Sequence, residues 1–224
     1  FLENDEYLER ILKAGLTSLI VAVDSLDDEK YQYYRQKGCL DKVVAGLKKV
    51  VKMKDQIGAD TMIHMRTVAM KQNEHELNDL KRVARQIGVD FFSIKTLNPG
   101  CGATSLDEQM VPDNAKYQRF SYDPKTGERI RINEMCPRPW IISNVFSNGD
   151  VVPCCYDFDG SIKLGNAVEE SFRNIWNGER YREFRKRVYN DMQSLEQCRN
   201  CWVSFKLSRR GWFSDWVDFR QNVI

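Results

Sequence analysis

The chain is expected to be an α/β protein in two parts, a parallel sheet or part of a barrel followed by a small α+β region. Three observations predict this. Residues 1–100 alternate apolar, β-branched runs with amphipathic stretches. Residues 101–134 break that pattern with frequent Gly, Ser, Asp, Asn and Pro. Beyond them, a set of cysteines sits at spacings suited to a metal or cluster.

The elements follow in order. Tyr7, Leu8, Ile11, Leu12 and Leu16 recur at helical spacing, and Gly15 stands where that helix ends. Leu16 to Asp24 is nearly all apolar, as a strand buried on both faces requires. Asp27 is placed to cap a short helix from Asp28 to Arg35. Asp41 is read as the cap of a longer one, with Val43, Val44, Leu47, Val50 and Val51 on its apolar face and Gly58 after its end. Thr61 to Met70 is a second strand. Asn73 is read as the cap of a helix carrying Leu77, Leu80, Val83, Ala84 and Ile87, which Gly88 stops. Val89 to Leu97 is a third strand. Each intervening helix is long enough to cross to a parallel neighbour.

Ligands of such sheets bind at the C-terminal strand ends. Here those ends carry Asp24-Ser25, Met70-Lys71-Gln72 and Asn98-Pro99-Gly100. Asp24 and Ser25 read equally well as a loop and helix-start signal. Residues 101–134 read as a linker with a hairpin around Asp123 to Gly127.

Composition narrows the function classes. The 224 residues carry 34 Lys and Arg against 32 Asp and Glu, a net charge of +2. That balance argues against a dedicated nucleic-acid surface. No run of about 18 apolar residues suggests a membrane span. No signal peptide opens the chain, so a cytoplasmic setting is expected. Residue 1 is Phe, and the first periodic segment starts almost at once. The sequence therefore reads as cut from a longer protein.

Seven Cys in a chain of 224 residues do not suit a small secreted disulfide scaffold. Asn148-Gly149 is a hairpin turn between the run Ile141 to Phe146 and a strand begun by Val151-Val152. Cys136 and Cys154 lie at either end of that hairpin, which folds them to one side. Two helical segments follow, one with Phe172, Ile175 and Trp176 on a face and one from Tyr181 to Tyr189. Cys198 and Cys201 then form a CxxC pair, able to grip one ion or cluster from a tight turn. Thiolates suit zinc or iron–sulfur clusters, and the choice is open at this level. Cys155 is an alternative to Cys154. Cys39 and Cys101 read as small buried residues. His64 on its strand reads as structural, and His75 lies on an exposed helix face.

The second half resembles the SPASM/twitch auxiliary-cluster domains of radical S-adenosylmethionine enzymes. The resemblance is carried by Cys136, Gly149-Asp150-Val151-Val152-Pro153-Cys154-Cys155, Leu164-Gly165-Asn166, Ser171-Phe172-Arg173-Asn174-Ile175-Trp176-Asn177 and Cys198-Arg199-Asn200-Cys201, in family order. It implies one 4Fe–4S cluster held by Cys136, Cys154, Cys198 and Cys201, as in the shorter twitch variant. The fuller pattern continues with further cysteines, whereas the position six beyond Cys201 is Leu207 and no Cys follows.

The first half is similar to the C-terminal half of a radical-SAM (βα)6 barrel, with Ala14 to Ser25 as its fourth strand and entry and Gly88 to Pro99 as its sixth. The resemblance makes Asp24, Ser25 and Arg66 candidate contacts of S-adenosylmethionine; Arg66 reads equally as a structural pair. The implied domains are 1–100, half-barrel; 101–134, linker; 135–205, SPASM/twitch; and 206–224, a C-terminal helix or tail. Within that tail, Lys206 to Phe219 is expected to be a helix packed on the barrel.

The resemblance further implies that the intact protein cleaves S-adenosylmethionine reductively and abstracts hydrogen from a small-molecule or peptide substrate. It would use a second 4Fe–4S cluster and an electron donor such as flavodoxin or ferredoxin. The CxxxCxxC motif that this chemistry needs is absent from the chain, so the chain alone is expected to be inactive. Three missing βα units would amount to about 90 residues. The alternative is a non-catalytic zinc module on an α/β binding domain.

Overall fold

The computed structural model describes residues 2–98, 109–209, 211 and 213–222. Two compact units are present. The first holds residues up to 98 together with Gln109–Arg119 and the chain from Ser208; the second holds residues 120–207. Residues 109–119, expected in the linker, thus pack with the first unit. Cys101, Pro99 and Gly100 lie outside the described residues.

In the first unit, α1 (Asp5–Lys13), β1 (Ser18–Ala22), α2 (Asp28–Tyr34), α3 (Leu40–Ile57), β2 (Met62–Ala69), α4 (Leu77–Ile87) and β3 (Phe91–Thr96) succeed one another. The three strands pair in parallel, with Ile20 opposite His64 and His64 opposite Phe91. One face of this sheet, through Val21, Val23, Ile63, Met65, Phe92 and Ile94, packs against Leu8, Leu12, Leu47, Val50, Leu77, Leu80 and Ala84. These apolar helix stripes are the periodicity legible in the sequence.

The helix ends show which caps the chain uses. Asp27 caps α2, its carboxylate accepting from the Lys30 N–H at 3.0 Å. Gly58 and Gly88 close α3 and α4 in the left-handed region, at φ of 64° and 87°. Two expected caps are displaced. Asp41 lies inside α3, whose N-cap is Cys39, and Asp28 of the neighbouring helix accepts the Leu40 N–H at 2.9 Å. Asn73 sits in a turn before α4, which begins after Glu76. Its side chain accepts from Met70 N–H and donates to the Asp24 and Val68 carbonyls, tying two strand ends together. Cys39 is half-buried at its helix end rather than packed in the core.

The expected C-terminal helix is a strand. Phe213–Asp218 forms β7, antiparallel to β3, with Ser93 opposite Trp216 and a bulge between Ile94 and Lys95. The sheet order is β1-β2-β3-β7. This pairing spans more than a hundred residues of sequence, so no local periodicity reports it.

In the second unit, β4 (Asn144–Val145), β5 (Asp150–Val152) and β6 (Gly165–Asn166) form a small antiparallel sheet. The β4–β5 turn runs through Asn148 and Gly149, the latter at φ of 87°. The short helices α5 (Phe172–Asn177) and α6 (Glu179–Asp191) follow, then a single turn, α7 (Glu196–Arg199). Residues 120–131 carry hydrogen-bonded turns and bridges. Asp123 N–H donates to Glu128 O, Gly127 N–H to Asp123 O, and Arg131 bridges to Phe205.

Candidate metal centre

The cysteine site is assembled by local structure in the second unit. Cys136 precedes a turn, Arg138–Trp140, and the β4–β5 hairpin then returns the chain to Cys154. Asn166 holds that hairpin, donating to the Asn148 carbonyl and to Asp150, while Val168 N–H donates back to its Oδ1. Gly165 lets Ile175 of α5 sit directly on β6. Helix α6 follows, and α7 presents Cys198. The Cys201 N–H donates to the Cys198 carbonyl at 3.1 Å, which is the tight turn a CxxC pair needs.

Cys136, Cys154, Cys198 and Cys201 line one cavity, whose remaining wall is largely apolar and includes Phe184, Val188, Met192 and Val203. Cys155 does not line it. Its thiol is exposed and lies 3.8 Å from the Arg138 guanidinium, which also stacks on Tyr156 and Trp202. The geometry thus separates two adjacent cysteines that sequence could not separate.

The thiols feel one another. Burial first, then the neighbouring Cys201, Cys154 and Cys136, pushes Cys198 up to about 12. Burial likewise raises Cys136 and Cys154, each with a further push from Cys201. Four thiolates crowded into an apolar cavity are costly without a cation, and the positive charge of a bound metal group offsets that cost and lets the thiols ionise. Among the described residues, no group of three or more His, Cys, Asp or Glu side chains is drawn together tightly enough to hold a single metal ion. An all-cysteine set reaching in from separate segments suits a cluster, which presents a ligand position at each corner.

The three residues expected at an adenosyl pocket lie in the first unit. Asp24 is buried, accepting from Arg35 Nε and from Val68 N–H, both at 2.7 Å. Burial pushes its carboxyl up, while the Val68 N–H and Arg35 oppose that push. Ser25 Oγ donates to Glu76 and accepts from the Asp27 N–H. Both residues therefore have their polar groups engaged within the strand-end loop. Arg66 lies on the sheet face opposite the helices, 5.5 Å from the Phe213 ring centroid, and its Nε has no hydrogen-bond partner among the described residues. Its neighbour on that face, His64, is buried, bonded to Ser93 Oγ at 2.8 Å and packed on Trp216. His75 is exposed beside Lys30 and Glu76, in the turn before α4.

Sequence reasoning missed two residues. Arg185 of α6 stacks on Trp176 and Tyr181 and donates to the Pro139 and Trp176 carbonyls, stapling the helix to the Cys136 turn. Its surroundings emerge only in three dimensions. Ser204, in the turn just after Cys201, is fully buried and lines the cysteine cavity.

Comparison with known proteins places these features in a family. Residues 136–202 match the SPASM family, an iron–sulfur cluster-binding domain. An AdoMet-dependent heme synthase of Methanosarcina barkeri is 23% identical over 215 residues, covering 80% of this chain and 59% of that protein. A GTP 3',8-cyclase of Pseudomonas savastanoi pv. phaseolicola is 26% identical over 129 residues, covering 56% of this chain and 34% of its own length. The crystal structure of Streptococcus suis SuiB shares 15% identity, covers 82% of this chain and 48% of that one, and gives a TM-score of 0.49. The alignments thus span between about a third and three fifths of these curated relatives. Residues 136–202 are a SPASM iron–sulfur cluster-binding domain, carried by a chain related to radical SAM enzymes.

Proposed function

We propose that Cys136, Cys154, Cys198 and Cys201 hold one 4Fe–4S cluster, and that this chain is the auxiliary-cluster part of a radical SAM enzyme. The observation that carries the reading is the meeting of four cysteines, from three segments of the second unit, around a single cavity. Bound there, the cluster supplies one-electron transfer. The chain's own residues do the rest. The thiolates neutralise the metal charge, and Phe184, Val188, Met192 and Val203 keep water from the site. Arg185 and Asn166 hold the two walls of the cavity in place.

The whole protein's reaction is then reductive cleavage of S-adenosylmethionine and hydrogen abstraction from a small-molecule or peptide substrate, with an external electron donor. Arg66 is the proposed direct contact for a carboxylate of that cofactor, supported by its unpartnered Nε. Asp24 and Ser25 shape the adjoining strand end. Lacking CxxxCxxC, the 224-residue chain by itself does not cleave S-adenosylmethionine.

Anaerobic reconstitution of the chain tests the first claim. The expected product binds about four irons and shows cluster absorbance. A protein holding only zinc, with no such absorbance, refutes it. Release of 5′-deoxyadenosine by the purified chain would overturn the second claim.

A further inference from the structure

Ser204 is fully buried, and its hydroxyl oxygen has no hydrogen-bond partner among the described residues. Its backbone is fully used. The N–H donates to the Cys201 carbonyl at 3.0 Å, and the carbonyl accepts from Ile132 at 2.8 Å. Ser204 therefore sits fixed, one turn beyond Cys201, in the wall of the cavity that the four cysteines line. Burying a hydroxyl without a partner is unfavourable. An alanine would fill nearly the same space without that cost. The hydroxyl is a donor awaiting an acceptor, and sulfur is what this cavity gathers.

We propose that Ser204 Oγ–H donates a hydrogen bond to a sulfur of the cluster site, either a ligand thiolate or a bridging sulfide, and raises the reduction potential. The inference rests on the cluster assignment above. Its physics is that reduction adds negative charge, which a donor stabilises more in the reduced state than in the oxidised one. Ser204 is a tuning residue rather than a ligand, because the four thiolates complete the coordination.

The test uses the reconstituted full chain, measuring iron content and the midpoint potential by redox titration followed by electron paramagnetic resonance. Ser204→Ala is expected to keep its iron and to shift the midpoint negative, by roughly tenfold in the equilibrium constant, about 59 mV for one electron. Ser204→Thr, which keeps the hydroxyl, is expected to titrate like the parent. Full iron with an unchanged midpoint in Ser204→Ala overturns the proposal. So does loss of iron from Ser204→Ala alone, which would make the residue a packing element. Failure of the parent chain to load iron would instead sink the cluster assignment itself, so the two failures are separable.

Discussion

Gly165 and Ile175 interlock so closely that a Cβ on the glycine would stand 2.9 Å from two carbons of the isoleucine side chain. This contact seats the Ile-Trp-Asn helix directly on the Gly-Asn step of β6. Gly165→Ala forces β6 and α5 apart. It is expected to destabilise the second unit by about 1–3 kcal/mol, read as a lowered unfolding midpoint in denaturant. An unchanged midpoint would show that Ile175 repacks freely.

The two neighbouring cysteines of the hairpin should separate chemically. Cys154 lines the cavity, whereas Cys155 is exposed beside Arg138. After anaerobic reconstitution, Cys154→Ser is expected to lose most bound iron and Cys155→Ser to retain it. Iron content per chain decides, and the reverse pattern would reassign the ligand.

At the opposite end of the first sheet from Asp24, Asp90 joins three elements. Its carboxylate accepts both contacts of Lys54 from α3, at 2.7 and 2.8 Å, and the Ile63 N–H of β2 at 2.6 Å. Asp90→Ala leaves an amide and an ammonium largely out of water and unpaired, at a cost of about 2–4 kcal/mol. Asp90→Asn keeps one acceptor and should recover part of that loss. Calorimetry of the two variants would rank them, and equal losses would mean that the charge alone matters.

His64 gives the first unit a pH dependence of known sign. Burial first, and the nearby Arg66 second, lower its pKa to about 4 from the ordinary 6.5. Between those values the unfolded chain binds a proton that the native imidazole refuses. Stability therefore falls as pH falls through this window, by on the order of 3 kcal/mol in all, and is fully retained above about pH 7. Urea unfolding at about pH 7 and about pH 5 should show a smaller difference for His64→Gln than for the parent. Identical differences would remove His64 as the source.

Much of the first unit was legible because its signals are local. Three apolar runs, two glycine stops and the Asp27 cap read directly as strands and helix ends. Asn73 and Asp41 misled because a cap is defined by where its side chain bonds. Here Asn73 bonds two strand ends, and Asp28 on another helix does the work expected of Asp41. β7 was hidden because Trp216 meets Ser93 across more than a hundred residues. In the site, cysteine spacing was visible in the sequence. The choice of Cys154 and the isolation of the Ser204 hydroxyl depend on burial and partners that one dimension does not carry.

The antiparallel β7 also decides how this sheet can be extended. It occupies the outer hydrogen-bonding edge of β3, so the parallel series cannot continue past that strand. The other end of the parallel series is β1, an edge strand on which Ile20 remains 48% exposed. The sheet thus ends in two unlike edges, a strand of the parallel series on one side and an antiparallel strand on the other. A further strand that continues the parallel series past β1 would take its alignment from Ser18 through Ala22.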